Sequence, residues 1–245
     1  VAFIKGLTSI PMEKSATHFF ACSYNAAKWL FPHKVKECKV LYNGIMLDEY
    51  LFKKESRQKV RTLLGIPEDT FVMIHVGRFA KEKNHEYLVK ILENYKKVAQ
   101  SEWKAILVGS GPLEESVKTQ VRESNLMDHV LFLGSRKDVN ELYSAADMFI
   151  FPSLHEGLGI VVIEAQASGL PCIVSDAVPP EADMGVGLLN TLSLQDDFDK
   201  WSEMIVCKKR GIETREEQKT TILKGKYNIK LVAAQMQKFY LENGK

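Results

Sequence analysis

What this chain of 245 residues lacks narrows it first. Its 4 cysteines, Cys22, Cys38, Cys172 and Cys207, lie far apart and form no Cys-x-x-Cys pair. That pattern points to a reducing compartment more than to a disulfide framework. Cys22 and Cys172 sit in apolar, strand-like runs, as small buried hydrophobes do. No run of about eighteen apolar residues occurs, so no membrane-spanning helix is expected. No secretory signal pattern is visible. Charge is balanced, with Lys and Arg at 33, Asp and Glu at 31 and a formal net charge of +2. Composition therefore gives no case for nucleic acid. The basic runs at His33 to Lys36 and at Lys53 to Arg61 read as local solvated faces. No internal repeat or low-complexity segment breaks the chain.

Several chemical signatures are missing too. There is no Walker A sequence and no Gly-x-Ser-x-Gly elbow. His85-Glu86 and His155-Glu156 lack the second histidine of a zinc-protease helix. Gly109-Ser110-Gly111-Pro112-Leu113-Glu114 lacks the third glycine of a dinucleotide fingerprint. Asp197-Phe198-Asp199 reads as the acidic first turn of a helix rather than a metal-binding pair.

What is present is a regular alternation. Phe71 to Val76, Trp103 to Val108, Val130 to Leu133, Met148 to Phe151 and Cys172 to Val174 are short, continuously apolar strands. Helical patterns separate them. They run from Glu86 to Ala99, from Pro112 (as the first helical residue) to about Ser124, from a cap at Asp138 to Ala146, and from Ile160 to Ser168. Such alternation predicts an α/β fold: a doubly wound parallel sheet covered on both faces, with ligands at the carboxyl ends of its strands. Upstream, Thr17 to Cys22, Asn25 to Phe31 and Lys39 to Tyr42 read as a strand–helix–strand unit of another sheet. Asn43-Gly44 reads as a turn and interdomain hinge. After Asn190 the chain reads as helical and polar, closing with a helix from Lys230 to Leu241.

Two segments at the strand ends carry chemistry. Ser153-Leu-His-Glu156-Gly157-Leu158-Gly159-Ile160-Val-Val-Ile-Glu164 follows a strand and opens a helix. Glycines at a helix start let backbone N–H groups approach a ligand, and the helix dipole favours an anion such as a diphosphate. Glu156 stands just before those amides. Glu164 lies roughly 6 Å further along at ~1.5 Å per residue, where a carboxylate can accept both hydroxyls of a ribose. An acidic residue within an otherwise apolar helix needs a partner. The second segment is Gly77-Arg78-Phe79-Ala80-Lys81-Glu82-Lys83-Asn84, also after a strand. Arg78 and Lys83 can reach the same phosphates, Arg as a planar fork and Lys as a compact charge.

These motifs form an ordered series: Gly77-Arg78 with Lys83, Val108-Gly109-Ser-Gly111-Pro112-Leu113, Val130 to Gly134, Ala146-Asp147, Pro152-Ser153, the Glu-x7-Glu pair, and Gly169-Leu170-Pro171. Over roughly residues 43–192 the series resembles the donor domain of glycosyltransferase family 4, which has the GT-B fold. The stretch 152–176 is most similar to bacterial capsule and exopolysaccharide glycosyltransferases.

The resemblance implies a retaining hexosyltransferase whose donor is a nucleotide-diphosphate sugar, UDP before GDP or ADP. The acceptor would be a saccharide or a lipid-linked saccharide. Arg78 and Lys83 would bind the diphosphate and stabilise the leaving nucleotide, making them catalytic with Glu156, which would face the donor sugar. Gly77 and the backbone of Leu158, Gly159 and Ile160 would hold the same phosphates. Glu164 would bind the ribose, and the loop Gly134-Ser135-Arg136 the base. No cofactor and no metal is implied, because Arg, Lys and a helix end replace the metal electrostatically.

The resemblance also implies three parts: residues 1–44 as the end of an N-terminal acceptor domain, 45–228 as the donor domain, and 229–245 as a helix crossing back. The location implied is cytoplasmic, with any peripheral contact at the inner membrane face running through the remainder of the acceptor domain. The chain on its own is expected to bind nucleotide and to transfer sugar poorly or not at all. Two other readings stay open: a GT-B-fold sugar-nucleotide epimerase, and a nucleotide-binding module without catalysis.

Overall fold

The computed structural model describes residues 12–209 and 211–244; the expectation for residues 1–11 lies outside them. In chain order, strand β1 (Phe19–Ala21), helix α1 (Tyr24–Leu30) and strand β2 (Cys38–Val40) come first. Two helices follow, α2 (Leu47–Tyr50) and α3 (Lys54–Leu64). Then come β3 (Phe71–Val76), α4 (His85–Val98), β4 (Trp103–Val108), α5 (Glu114–Glu123), β5 (Val130–Phe132) and α6 (Val139–Ala145). The chain continues through β6 (Met148–Phe151), α7 (Ile160–Ala167), β7 (Cys172–Ser175), β8 (Leu189–Leu192) and α8 (Phe198–Cys207). It closes with α9 (Glu213–Glu217), α10 (Lys219–Leu223) and α11 (Ile229–Asn243).

β1 and β2 pair in parallel, Phe19 opposite Cys38. The other six strands form a parallel sheet in the order β5-β4-β3-β6-β7-β8. Strand residues alternate between its two faces. Met73 packs with Leu88, Leu92 and Trp201 on one face. Val72 and Ile74 pack with Phe149, Phe151 and Val162 on the other. Both faces are covered, which is why these strands read as continuous apolar runs. The expected α/β doubly wound sheet is present. Its strand order reverses between β3 and β6, so the crevice for ligands opens at the carboxyl ends of those two strands.

Four expectations are corrected. Helix α5 starts at Glu114, not Pro112, because the preceding turn is held elsewhere: Leu113 N–H donates to the Phe79 carbonyl at 3.0 Å. Asp138 stands before α6 but makes no capping bond, since Arg136 takes its carboxylate at 2.6 and 2.8 Å. The segment after Asn190 is not helical from its start: Thr191 and Leu192 complete an edge strand, Leu189–Leu192, paired with β7. Finally, the basic run Lys53 to Arg61 is not one solvated face.

Lys53, Lys54 and Lys59 are exposed, but Arg57 and Arg61 are buried at 3% and 2% exposure. Both reach Asp147, at 2.9 and 2.8 Å. They also donate to the Ala145 carbonyl at the end of α6, at 3.2 and 2.9 Å. Buried Arg215 joins them, donating to the carbonyls of Tyr143 (2.9 Å), Ala146 (2.8 Å) and Ser168 (2.9 Å). Three guanidiniums thus satisfy the last-turn carbonyls of α6 and the end of α7, which the helices cannot satisfy themselves. Burial draws the Arg215 pKa down to about 9.

Around the expected hinge the chain crosses itself. Ile45 N–H donates to the Tyr227 carbonyl (2.8 Å), and Ile229 N–H donates to the Ile45 carbonyl (3.1 Å). Any side chain on Gly44 would meet the Ile229 Cα at 2.8 Å. Helix α11 then returns to the small sheet, where the Phe239 ring packs edge-on against His18 and Phe20.

Candidate functional site

The loops after β3 and β6 meet at the strand reversal and are tied together. Ser153 Oγ donates to the Glu82 carbonyl (2.6 Å), Leu154 N–H to the same carbonyl (2.7 Å), and Asn84 Nδ2 to the Pro152 carbonyl (3.0 Å). Phe79 anchors the first loop in the core, with its ring stacked on His85 at 4.1 Å. Gly109 makes the close approach possible: with φ +138°, a side chain there would lie 2.0 Å from the Gly77 carbonyl.

Within this frame the Lys83 ammonium pairs with Glu156 Oε1. Ser153 Oγ lies 2.8 Å from the same oxygen. Glu156 is 8% exposed, so little water reaches it and the ammonium is its counter-charge. Lys83 also stands 5.0 Å above the Phe151 ring. Gly77 and exposed Arg78 open the same loop. The structure thus brings Lys83, in the loop that Gly77 and Arg78 open, onto Glu156 from 73 residues further along the chain.

Behind Lys83 lies a histidine pair that sequence reading assigned no part. His75 Nδ1 is 2.9 Å from the Ile150 carbonyl, and its ring meets His85 edge-on at 4.6 Å. Burial, then the neighbouring histidine or Lys83, lowers both pKa values, His75 well below its usual range and His85 to about 4. Both are neutral at physiological pH. They fill space beneath the loop and add no positive charge to it.

Helix α7 starts beside Glu156. Gly159 stands at its N-cap with φ 79°, offers no side-chain cap, and no acidic residue follows in the first turn. Leu158 turns its side chain into the core, while Ile160 is exposed. A helix start of this kind leaves backbone N–H groups without intrahelical partners, the property that favours an anion. One turn further in, Glu164 accepts from Tyr50 Oη (3.0 Å) and Tyr143 Oη (3.2 Å). Burial raises its pKa, and these two hydrogen bonds oppose the rise. Sequence reading missed both tyrosines, because Tyr50 reaches α7 from more than a hundred residues upstream.

Ser135 and Arg136 lie at the end of β5, on the far side of β4 from the ion pair. Ser135 Oγ and Ser110 Oγ are 2.9 Å apart. The Arg136 guanidinium is committed to Asp138, which leaves the loop's backbone for any ligand. On the other flank, Ser23 Oγ donates to the Gly157 carbonyl (2.6 Å) and Tyr24 N–H to Glu181 Oε1 (2.6 Å). A cavity of about 250 Å³ separates α1, at Asn25 and Trp29, from His155 and Glu156. Among the described residues no cluster of His, Cys, Asp and Glu is arranged to hold a metal ion, and no helix is long and apolar enough to cross a membrane.

A doubly wound sheet with a lysine–glutamate pair at its strand reversal places a ligand crevice there. Residues 56–185 match the family described as Glycosyl transferases group 1, and the chain belongs to that family. It is 37% identical over 194 residues to EpsF of Bacillus subtilis (strain 168), a protein named as a glycosyltransferase; the match covers 78% of this chain and 50% of that one. It is 34% identical over 145 residues to the Escherichia coli UDP-Gal:alpha-D-GlcNAc-diphosphoundecaprenol alpha-1,3-galactosyltransferase, covering 56% and 36%. The chain thus spans half or less of the length of these relatives. The crystal structure of Anabaena HepE in complex with UDP and glucose superposes with a TM-score of 0.79 at 21% identity, over 97% of this chain and 66% of that one. That likeness speaks to the fold.

Proposed function

We propose that this chain is the donor-binding part of a retaining glycosyltransferase that moves a hexose from a UDP-sugar to a saccharide or lipid-linked acceptor. The observation that carries this reading is the Lys83–Glu156 pair beside the uncapped start of α7, at the strand reversal. Arg78, Lys83 and the α7 amides take the diphosphate. They stabilise the charge that grows on the leaving nucleotide, so no metal is needed for that task. Glu156 faces the sugar, Glu164 takes the ribose hydroxyls, and the Gly134-Ser135-Arg136 backbone takes the base. UDP in the HepE structure and UDP-Gal in the name of the E. coli relative support the choice of nucleotide. The similarity of the stretch 152–176 to bacterial capsule and exopolysaccharide glycosyltransferases supports a role in that synthesis.

In this reading residues 45–228 form the donor domain, residues up to 44 belong to the acceptor domain, and residues 229–245 cross back to it. The packing of Phe239 on Phe20 supports the last assignment. Calorimetric titration with UDP, GDP and ADP tests the proposal. UDP is expected to bind best, and no binding of any of the three would overturn it. Conversion of a UDP-sugar without any acceptor would point to the epimerase instead.

A further inference from the structure

The Glu164 carboxylate is held from two sides by elements that belong to neither strand-end loop. Tyr50, the last residue of α2, donates to Oε1, and Tyr143, in α6, donates to Oε2. The two rings stand 6.3 Å apart, and each hydroxyl reaches a different carboxylate oxygen. Tyr143 is fully buried. Its hydroxyl also lies 3.3 Å from the Val161 carbonyl, but the ionised carboxylate is the stronger acceptor for its single proton.

We propose that Tyr50 and Tyr143 are positioning residues that fix Glu164 to read both hydroxyls of a ribose, and so to select ribonucleotide over 2′-deoxyribonucleotide donors. The proposal rests on the ribose reading of Glu164 given above. An ionised carboxylate has about four acceptor directions, two on each oxygen. Each tyrosine occupies one, which leaves one open on each oxygen. Two adjacent acceptors match a vicinal diol in which both hydroxyls donate. A carboxylate free to rotate would swing onto whichever hydroxyl remained in a deoxy-nucleotide. Held at both oxygens, it cannot, and one acceptor is left unpaired. Such an unpaired acceptor is what makes hydrogen-bonding sites discriminate strongly. Both phenols have pKa values raised above the usual value, by burial first and by Glu164 next, so they remain donors at all working pH values.

The test uses the nucleoside diphosphate (UDP, GDP or ADP) that binds best and its 2′-deoxy counterpart, titrated calorimetrically into the full chain. The unsubstituted chain is expected to prefer the ribonucleotide by about tenfold to a hundredfold, the size of one hydrogen bond to a charged group. In Tyr143→Phe, Tyr50→Phe and the double variant that preference should shrink, in the double to about threefold or less, chiefly because the deoxy-nucleotide binds more tightly once the carboxylate is free to turn. A purely structural role would weaken both ligands equally and leave the preference intact, which overturns the proposal. Tyr50→Phe is the fallback should the buried Tyr143 variant fold poorly. Glu164→Gln separates the two levels. If it leaves the preference unchanged, the ribose reading itself fails. If it abolishes the preference and the phenylalanine variants do not reduce it, only the tyrosine proposal fails. No binding of any of the three nucleotides overturns both.

Discussion

The Lys83 ammonium and the Glu156 carboxylate form an ion pair where the loops after β3 and β6 cross, 73 residues apart in sequence. Each is the other's counter-charge in the unliganded crevice. A diphosphate entering at α7 competes with Glu156 for Lys83. Glu156→Gln removes that competitor and a negative charge facing the phosphates. Nucleoside diphosphate affinity is therefore expected to rise about threefold to tenfold, the scale of one partly screened charge interaction, while sugar transfer by the complete enzyme falls. Titration and donor-turnover assays on the same variant read both effects.

The same pair has a stability consequence. Lys83→Ala leaves Glu156 almost buried without its cation and should cost about 2–4 kcal/mol in urea unfolding. Removing both groups in Lys83→Ala, Glu156→Ala should recover a substantial part of that loss, which a double-mutant cycle measures.

The histidine pair behind the loop makes stability depend on pH. His85 has its folded pKa lowered from about 6.5 to about 4 by burial first and Lys83 second, and His75 is lowered further. A lowered histidine means that the unfolded chain binds the proton more readily. Stability is therefore fully present above about pH 6.5 and is lost as pH falls toward about 4. The loss from His85 alone is on the order of 3 kcal/mol at the acid end of that window. Urea midpoints between pH 7 and pH 4.5 should drop for the unsubstituted chain and drop less for His85→Phe, which keeps the stacking on Phe79. Equal slopes for both proteins would rule the pair out as the source.

How far the sequence reveals this molecule depends on the range of the forces involved. Five strands were legible because each is a continuous apolar run, four of them buried within the sheet and β5 at its edge. Strand β8 was not, because Asn190 and Thr191 interrupt its leucines and give it the mixed pattern of a surface segment. The crevice was legible in part. Gly77, Arg78, Lys83, Glu156 and Glu164 fall at strand ends or helix starts, positions that local pattern locates. Their partners were not: Lys83 meeting Glu156, the tyrosines meeting Glu164, and Arg57, Arg61 and Arg215 converging on the end of α6 are interactions across 21 to 114 residues of chain. An arginine bound for a buried carbonyl looks, in sequence, like any surface arginine.

Arg215 shows the cost of that hidden role. Arg215→Ala would leave the carbonyls of Tyr143 and Ser168 without this donor and Ala146 with only the longer 3.4 Å bond from Arg57, and a loss of about 3 kcal/mol is expected in urea unfolding. Arg215→Lys should recover little, since a single ammonium cannot reach carbonyls spread around a planar fork. Full recovery by lysine would show that charge alone matters there.

The central claim is that Arg78 and Lys83 bind a donor diphosphate at the strand reversal. Calorimetric titration of UDP into the unsubstituted chain and into the Arg78→Ala, Lys83→Ala double variant tests it most directly, with circular dichroism confirming that the variant is folded. Removing two charge-assisted hydrogen bonds to the phosphates should weaken binding by about a hundredfold or more at low salt. Affinity unchanged within about twofold in the folded double variant would contradict the claim.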